Sequence, residues 1–397
     1  MSHKMLEKNI NNHNSWLDLF RALAAILVCI GHIRNAFWVD YGEIQVKAWW
    51  HVPVYLLTGF GHQAVIVFFV LSGFLVGGGV LAKGKNFSWV NYLLARLIRL
   101  WLVLIPALFF TAACDFLTLH ALPNAFDGKL SSLWGSGPFS LDGFGWKVFI
   151  ANGLFLQTIA FPIFGSNGPL WSLANEFWYY MLFPLIVCGF GFVGGVTIYK
   201  RAILLLVAMG IALWLPREII SYFLIWLMGA ACFLMIRKYP LRVNGGLTIL
   251  FGFIFVGALV AAKFLSKEQF VIWSDVSLGL LFSILLFCLN AHKAPWRSDG
   301  LPGAIIKKMS DFSYSLYLFH FPLVILLAVT IVGEVQLQPN ISAVIVIVGA
   351  TSLCLAVAWI SWFLFEQKNE YIRNKVHSLI VHMLIFRARI IGNWGSN

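Results

Sequence analysis

Apolar residues run along this chain in long blocks, separated by short polar punctuation. The blocks are helical in length, since a membrane-crossing helix needs about 20 residues. They show none of the alternating ten-residue segments that mark a membrane barrel. The pattern predicts ten helices, at 16–37, 55–81, 89–114, 168–192, 200–214, 219–236, 246–264, 271–291, 312–333 and 341–365. A further apolar stretch, 146–164, contains Pro162 and several polar side chains. It reads as a re-entrant or interfacial segment within a long loop, 115–167. Residues 1–15 are polar, and the block after them carries Asp18 and Arg21 and has no A-x-A site. It is therefore expected to stay as the first membrane helix rather than to be cleaved as a signal. The predicted organisation is a polar N-terminal segment 1–15, a membrane domain 16–366 and a basic tail 367–397. In the tail, "VHSLIVHMLIFRARII" (376–391) is too short to span and is expected to lie in the interface.

Composition turns the pattern into a class. Of 397 residues, 60% are hydrophobic and 11% charged, with a mean hydropathy of +0.84. A soluble domain needs more polar surface than that, so an all-α polytopic membrane protein is expected. The formal charge of +12 does not point to nucleic acid, because positive-inside topology accounts for it. With the N-terminus in the cytoplasm, 21 of the 28 Lys and Arg residues fall on the inner side. The outer side keeps Arg34, Lys47, Lys129, Lys147, Arg217, Lys263 and Lys267. Both termini are then cytoplasmic. The six cysteines lie in or beside apolar runs with no C-x-x-C or Cys/His cluster, so neither a disulfide framework nor a metal site is expected.

The few ionisable groups within the blocks carry the chemistry, because each is costly at bilayer depth and marks function by default. Arg21 and His32 are 11 residues apart, three turns plus about 20°, and Asp18 falls about 40° from the same line. The three share one stripe, with about 16 Å of rise between Arg21 and His32. In "YLLARLIRLW", Arg96 and Arg99 lie one turn apart at the inner end of their helix. Singly each is an ordinary cytoplasmic-side charge. Together with Arg21 they form a guanidinium cluster suited to phosphate. In "SNGPLWSLANEFWYYMLFP", Glu176 lies about 10 Å inside the outer end, at a depth similar to that of His32. It is therefore expected to orient the imidazole and raise its basicity. Ser72 lies among glycines in "FFVLSGFLVGGG", which lacks the G-x-S-x-G turn of a serine nucleophile. His320 precedes Pro322, and the proline frees a backbone carbonyl that a polar neighbour can satisfy. Structural and functional roles are equally open to His320. An ion-coupled or glycan-precursor transporter is the alternative reading of intramembrane charges, although no internal repeat is evident.

Five stretches in one order carry a resemblance: "LDLFRALAAILVCIGH", "FFVLSGFLVG", "RLIRLWLVLIP", "NGPLWSLANEFWYYMLFP" and "FSYSLYLFHFPL", with "WFLFEQKNEY" after them. The set resembles the acyltransferase 3 family of integral-membrane acyltransferases, from about residue 14 to 372. The resemblance implies transfer of an acyl group, commonly acetyl, from cytoplasmic acyl-CoA to a hydroxyl of a glycan or glycolipid outside the bacterial inner membrane. It implies that His32 is catalytic, that Arg21, Arg96 and Arg99 serve the CoA donor, and that Glu176 occupies the family's acidic position. Many members have two adjacent acids there; this chain has Phe177 after Glu176. Asn167, Trp171, Ser72 and His320 are then candidate substrate-binding residues. The expected partners are the lipid bilayer and the acceptor, with no nucleic acid and no metal, and oligomers are compatible with this. Some members carry a C-terminal esterase-like domain; for this chain, transfer by the membrane domain or by a separate partner is expected.

Overall fold

The computed structural model describes residues 15–126, 141–239, 241, 243–264, 271–291 and 300–379. Its elements are helices: α1 Ser15–Phe37; α2 Gly61–Lys83, with a π-helical segment at Gly73–Gly77; α3 Trp89–Ala121; α4 Trp146–Gly153; α5 Leu170–Gly189; α6 Ile198–Trp214; α7 Arg217–Lys238; α8 Gly245–Phe264; α9 Val271–Ala291; α10 Leu301–Asp311; α11 Ser313–Leu327; and α12 Ile341–Leu364. The chain is an all-α polytopic protein. Among the described residues, eight helices are long and apolar enough to cross a membrane, against the ten expected. The two others exist as helices but differ in character. α6 has only 17 residues, and α5 spends its length on Asn175, Glu176 and a run of aromatic side chains. The prediction for 1–14 and for most of 376–391 lies outside the described residues.

α1 is the central post. It packs on α2, α10, α11 and α12, while α11 also packs on α3. A second group, α7, α8 and α9, packs beside α2. Ser88 and Asn340 accept backbone N–H bonds at the starts of α3 and α12, satisfying donors that a helix start leaves orphaned. α2 and α7 cross at glycines. A Cβ at Gly73 would overlap the Trp226 carbonyl, and one at Gly229 would overlap that of Val70. Small residues here let two backbones touch.

Two prolines inside helices are handled by side chains. Pro184 in α5 and Pro322 in α11 have no N–H to give to the carbonyls four residues earlier. Those carbonyls belong to Tyr180 and Leu318. The Tyr92 hydroxyl donates to the first at 2.9 Å, and the Asn167 amide donates to the second at 3.0 Å. Both repairs sit next to the site. The 146–164 segment folds as the short α4 followed by a loop with positive φ at Phe155 and Thr158. The buried Asn152 pins it, donating to Val148 and Pro162 carbonyls and accepting from Phe164 N–H.

Candidate active site

Two cavities flank α1, one towards each end. The first, about 370 Å³, is lined by Arg21, Arg96, Arg99, Ser72, Glu176, Tyr180, Ser313 and Tyr314 among others. The second, about 570 Å³, is lined by His32, Arg34, Asn35, His62, Trp171 and Lys263 among others. Val65 and Tyr317 line both, so the cavities adjoin across one aromatic ring and one valine.

The first cavity brings the three arginines together with Glu176. Arg21 donates to Ser313 Oγ at 3.2 Å, and Ser310 holds Asp18 at 2.8 Å. The Arg96 Nε is buried and meets no acceptor among the described residues. A buried donor left so costs free energy until something accepts from it. Opposite the guanidiniums runs a chain of hydroxyls. Trp226 Nε1 donates to Ser72 Oγ at 3.1 Å, Ser72 pairs with the Tyr180 hydroxyl at 3.0 Å, and Tyr180 donates to Glu176 Oε2 at 2.9 Å. With Tyr180 giving its proton to Glu176, the Tyr180 oxygen is left to accept from Ser72, and this run of hydroxyls contains no imidazole that would activate the serine as a nucleophile. Glu366 stands behind this cavity. It accepts from Ser315 Oγ at 2.7 Å, and Arg99 and Arg21 act on its carboxylate.

Glu176 therefore does not orient His32, as its depth along α5 had suggested. It belongs to the arginine cavity. The imidazole is held by a second histidine instead: His32 Nδ1 and His320 Nε2 are 2.9 Å apart. The ring planes differ by 4° with centroids 5.2 Å apart. The nitrogen separation is so much shorter that the rings meet edge to edge rather than face to face. His320 Nδ1 lies 2.8 Å from the Leu316 carbonyl, which can only accept. His320 is thus protonated on Nδ1 and, as a neutral ring, accepts on Nε2. His32 must donate from Nδ1, which leaves its Nε2 lone pair as the basic atom.

The remaining candidates divide. Trp171 lines the histidine cavity and packs edge-on against Phe69. His320 lines neither cavity and is buried, so it acts through His32 rather than on substrate. Asn167, expected to bind substrate, is fully buried and lines neither cavity; its amide joins Thr111 Oγ1 to the carbonyl freed by Pro322. Sequence reasoning missed several neighbours. Arg34 and Lys263 had been read as outer-side charges. His62 pairs with the buried Asp275 at 2.8 Å, which Tyr222 also holds at 3.0 Å. That pair spans 213 residues of sequence and leaves no local signature.

A family model described as an acyltransferase domain matches residues 14–362. The chain belongs to the acyltransferase 3 family. Among curated proteins it is 24% identical to peptidoglycan O-acetyltransferase OatA of Listeria monocytogenes serovar 1/2a, over 95% of this chain and 60% of that protein. It is 26% identical to nodulation protein 10 of Rhizobium leguminosarum bv. viciae, over 45% of each. The chain thus spans under two thirds of the length of either relative. No solved structure matches. The acyltransferase 3 family and the apolar helices make this a multi-pass membrane acyltransferase.

Proposed function

We propose that this acyltransferase takes its acyl group, acetyl in the simplest case, from cytoplasmic acyl-CoA and delivers it to a hydroxyl of an extracytoplasmic glycan or glycolipid. The observation that carries the reading is the pair of cavities meeting at Tyr317 and Val65. One is rich in guanidinium and the other holds a basic imidazole nitrogen. The CoA phosphates dock on Arg21, Arg96 and Arg99, where the buried Arg96 Nε awaits an acceptor. Pantetheine then threads towards His32, along the roughly 16 Å that α1 rises between Arg21 and His32. The 21-to-7 division of Lys and Arg favours the arginine cavity facing the cytoplasm.

His32 Nε2 takes the proton of the acceptor hydroxyl as its oxygen attacks the thioester carbonyl. The carbon–sulfur bond breaks, and the CoA thiolate recovers that proton from His32. His320 fixes the tautomer throughout. A positioned base of this kind is worth about 10²–10⁴ in rate. The test is acyl transfer by the purified protein in lipid nanodiscs, with labelled acetyl-CoA and cell-envelope glycans. Turnover surviving in a stably folded His32→Ala variant would remove the histidine from the mechanism. Absence of CoA release with every acyl-CoA would remove the donor.

A further inference from the structure

The histidine cavity carries more positive charge than base catalysis needs. Arg34 and Lys263 both line it, and no Asp or Glu is among its described lining residues. The Arg34 side chain is only 10% exposed. Its Nε is buried with no acceptor among the described residues. The carboxylate facing it, Asp40, is 87% exposed and 3.6 Å away at NH1, and an ion pair held in water is weak. The guanidinium carbon also sits 4.8 Å from the centre of the Tyr55 ring, which fixes the fork's direction without supplying an acceptor. A second carboxylate near the cavity among the described residues, Asp275, is buried and already taken by His62 and Tyr222. Asn35, one residue from Arg34, adds an amide to the lining.

A buried guanidinium with an open N–H, beside an ammonium and without a lining carboxylate, recognises an oxyanion. We propose that this cavity holds a subsite for an oxyanion borne by the acceptor, a carboxylate or a phosphate, gripped by Arg34 and Lys263 beside the hydroxyl that His32 deprotonates. The inference rests on the reading of this cavity as the acceptor's. It assigns the acceptor to acidic molecules: a sugar acid, or a glycan still attached to a phosphate-bearing lipid. His32 and Arg34 both line this cavity from α1, although at two residues apart they leave the helix axis about 200° apart.

Binding, measured without turnover, tests it. The protein in zwitterionic lipid nanodiscs is titrated at fixed ionic strength, since screening alters any charge contact. Saturation-transfer NMR compares methyl β-D-glucuronide with methyl β-D-glucoside, and citronellyl phosphate with citronellol. The charged member of at least one pair should bind at least tenfold more tightly than its neutral partner, and Arg34→Gln should erase that difference. Lys263→Gln should reduce it, and serves if Arg34→Gln does not fold. Preference within the sugar pair alone names a sugar carboxylate as the source; preference within the prenyl pair alone names a lipid phosphate. Equal binding within both pairs, or a preference that survives both substitutions, would overturn the subsite. A protein that discriminates yet transfers no acyl group would keep the subsite and sink the proposed function.

Discussion

The edge-to-edge contact of 2.9 Å between His32 Nδ1 and His320 Nε2 joins α1 to α11 across 288 residues of sequence. It makes the tautomer of one imidazole depend on the other, and the carbonyl of Leu316 settles both. His320→Leu should therefore lower kcat by roughly 10²-fold and leave KM for acyl-CoA unchanged. His320→Gln, whose amide oxygen can accept from His32, should recover part of the rate. Steady-state kinetics on both variants checks this, with melting temperature as the folding control. Equal losses in the two variants would reduce His320 to a packing residue.

The arginine cavity predicts a split between donor and acceptor. Losing a charged hydrogen bond costs about 1.5–3 kcal/mol, so Arg99→Gln should raise KM for acyl-CoA by at least tenfold with acceptor KM unmoved. Glu176→Gln removes a competitor for the same guanidiniums and should lower that KM. A Glu176→Gln variant that lost kcat with KM intact would return the carboxylate to His32.

Tyr317 stands between the two cavities, and its hydroxyl is tied to Ser172 at 2.6 Å and to the Pro169 carbonyl at 3.1 Å. Tyr317→Ala should open the partition and let water reach the thioester. Free CoA should then appear without acceptor, measured by thiol titration. Tyr317→Phe keeps the ring and should stay near the parent rate. An unchanged background in Tyr317→Ala would show that the ring is no barrier.

Stability should concentrate at the repaired prolines and the glycine crossing. Asn167→Leu and Tyr92→Phe each strand a helix carbonyl, at a cost of about 1–3 kcal/mol. Gly73→Val forces α2 away from α7 and should cost at least as much. Gly79 faces open space, so Gly79→Ala should be neutral or mildly stabilising. Thermal denaturation in detergent orders the four; a Gly79→Ala as damaging as Gly73→Val would contradict the crossing.

Helix positions were readable because apolar runs of spanning length leave few alternatives, and the one-turn spacing of Arg96 and Arg99 puts both on one face of α3; that this face shares a cavity with Arg21 of α1 is a contact between helices that spacing does not give. The relation of Glu176 to His32 was misjudged because equal depth on two helices says nothing about which way each helix is turned. His62 with Asp275, and Tyr317 on the partition, depend on contacts between distant segments. Arg34 and Lys263 sit near helix ends, where a cation looks like an interfacial anchor. Asn167 is instructive in the other direction. The carbonyl freed by Pro322 was foreseeable, yet its partner was expected at the substrate.

A bundle hollowed from both ends faces a hazard that a soluble enzyme never meets. Were the hollows continuous, ions would run down the membrane potential, each charge releasing about 2.3 kcal/mol per 100 mV. The ring of Tyr317 and the side chain of Val65 are then an insulator as well as a wall. Most of the voltage must fall across that thin septum, and the acyl-pantetheine arm, which is uncharged, is the part of the donor that can cross it without feeling the field.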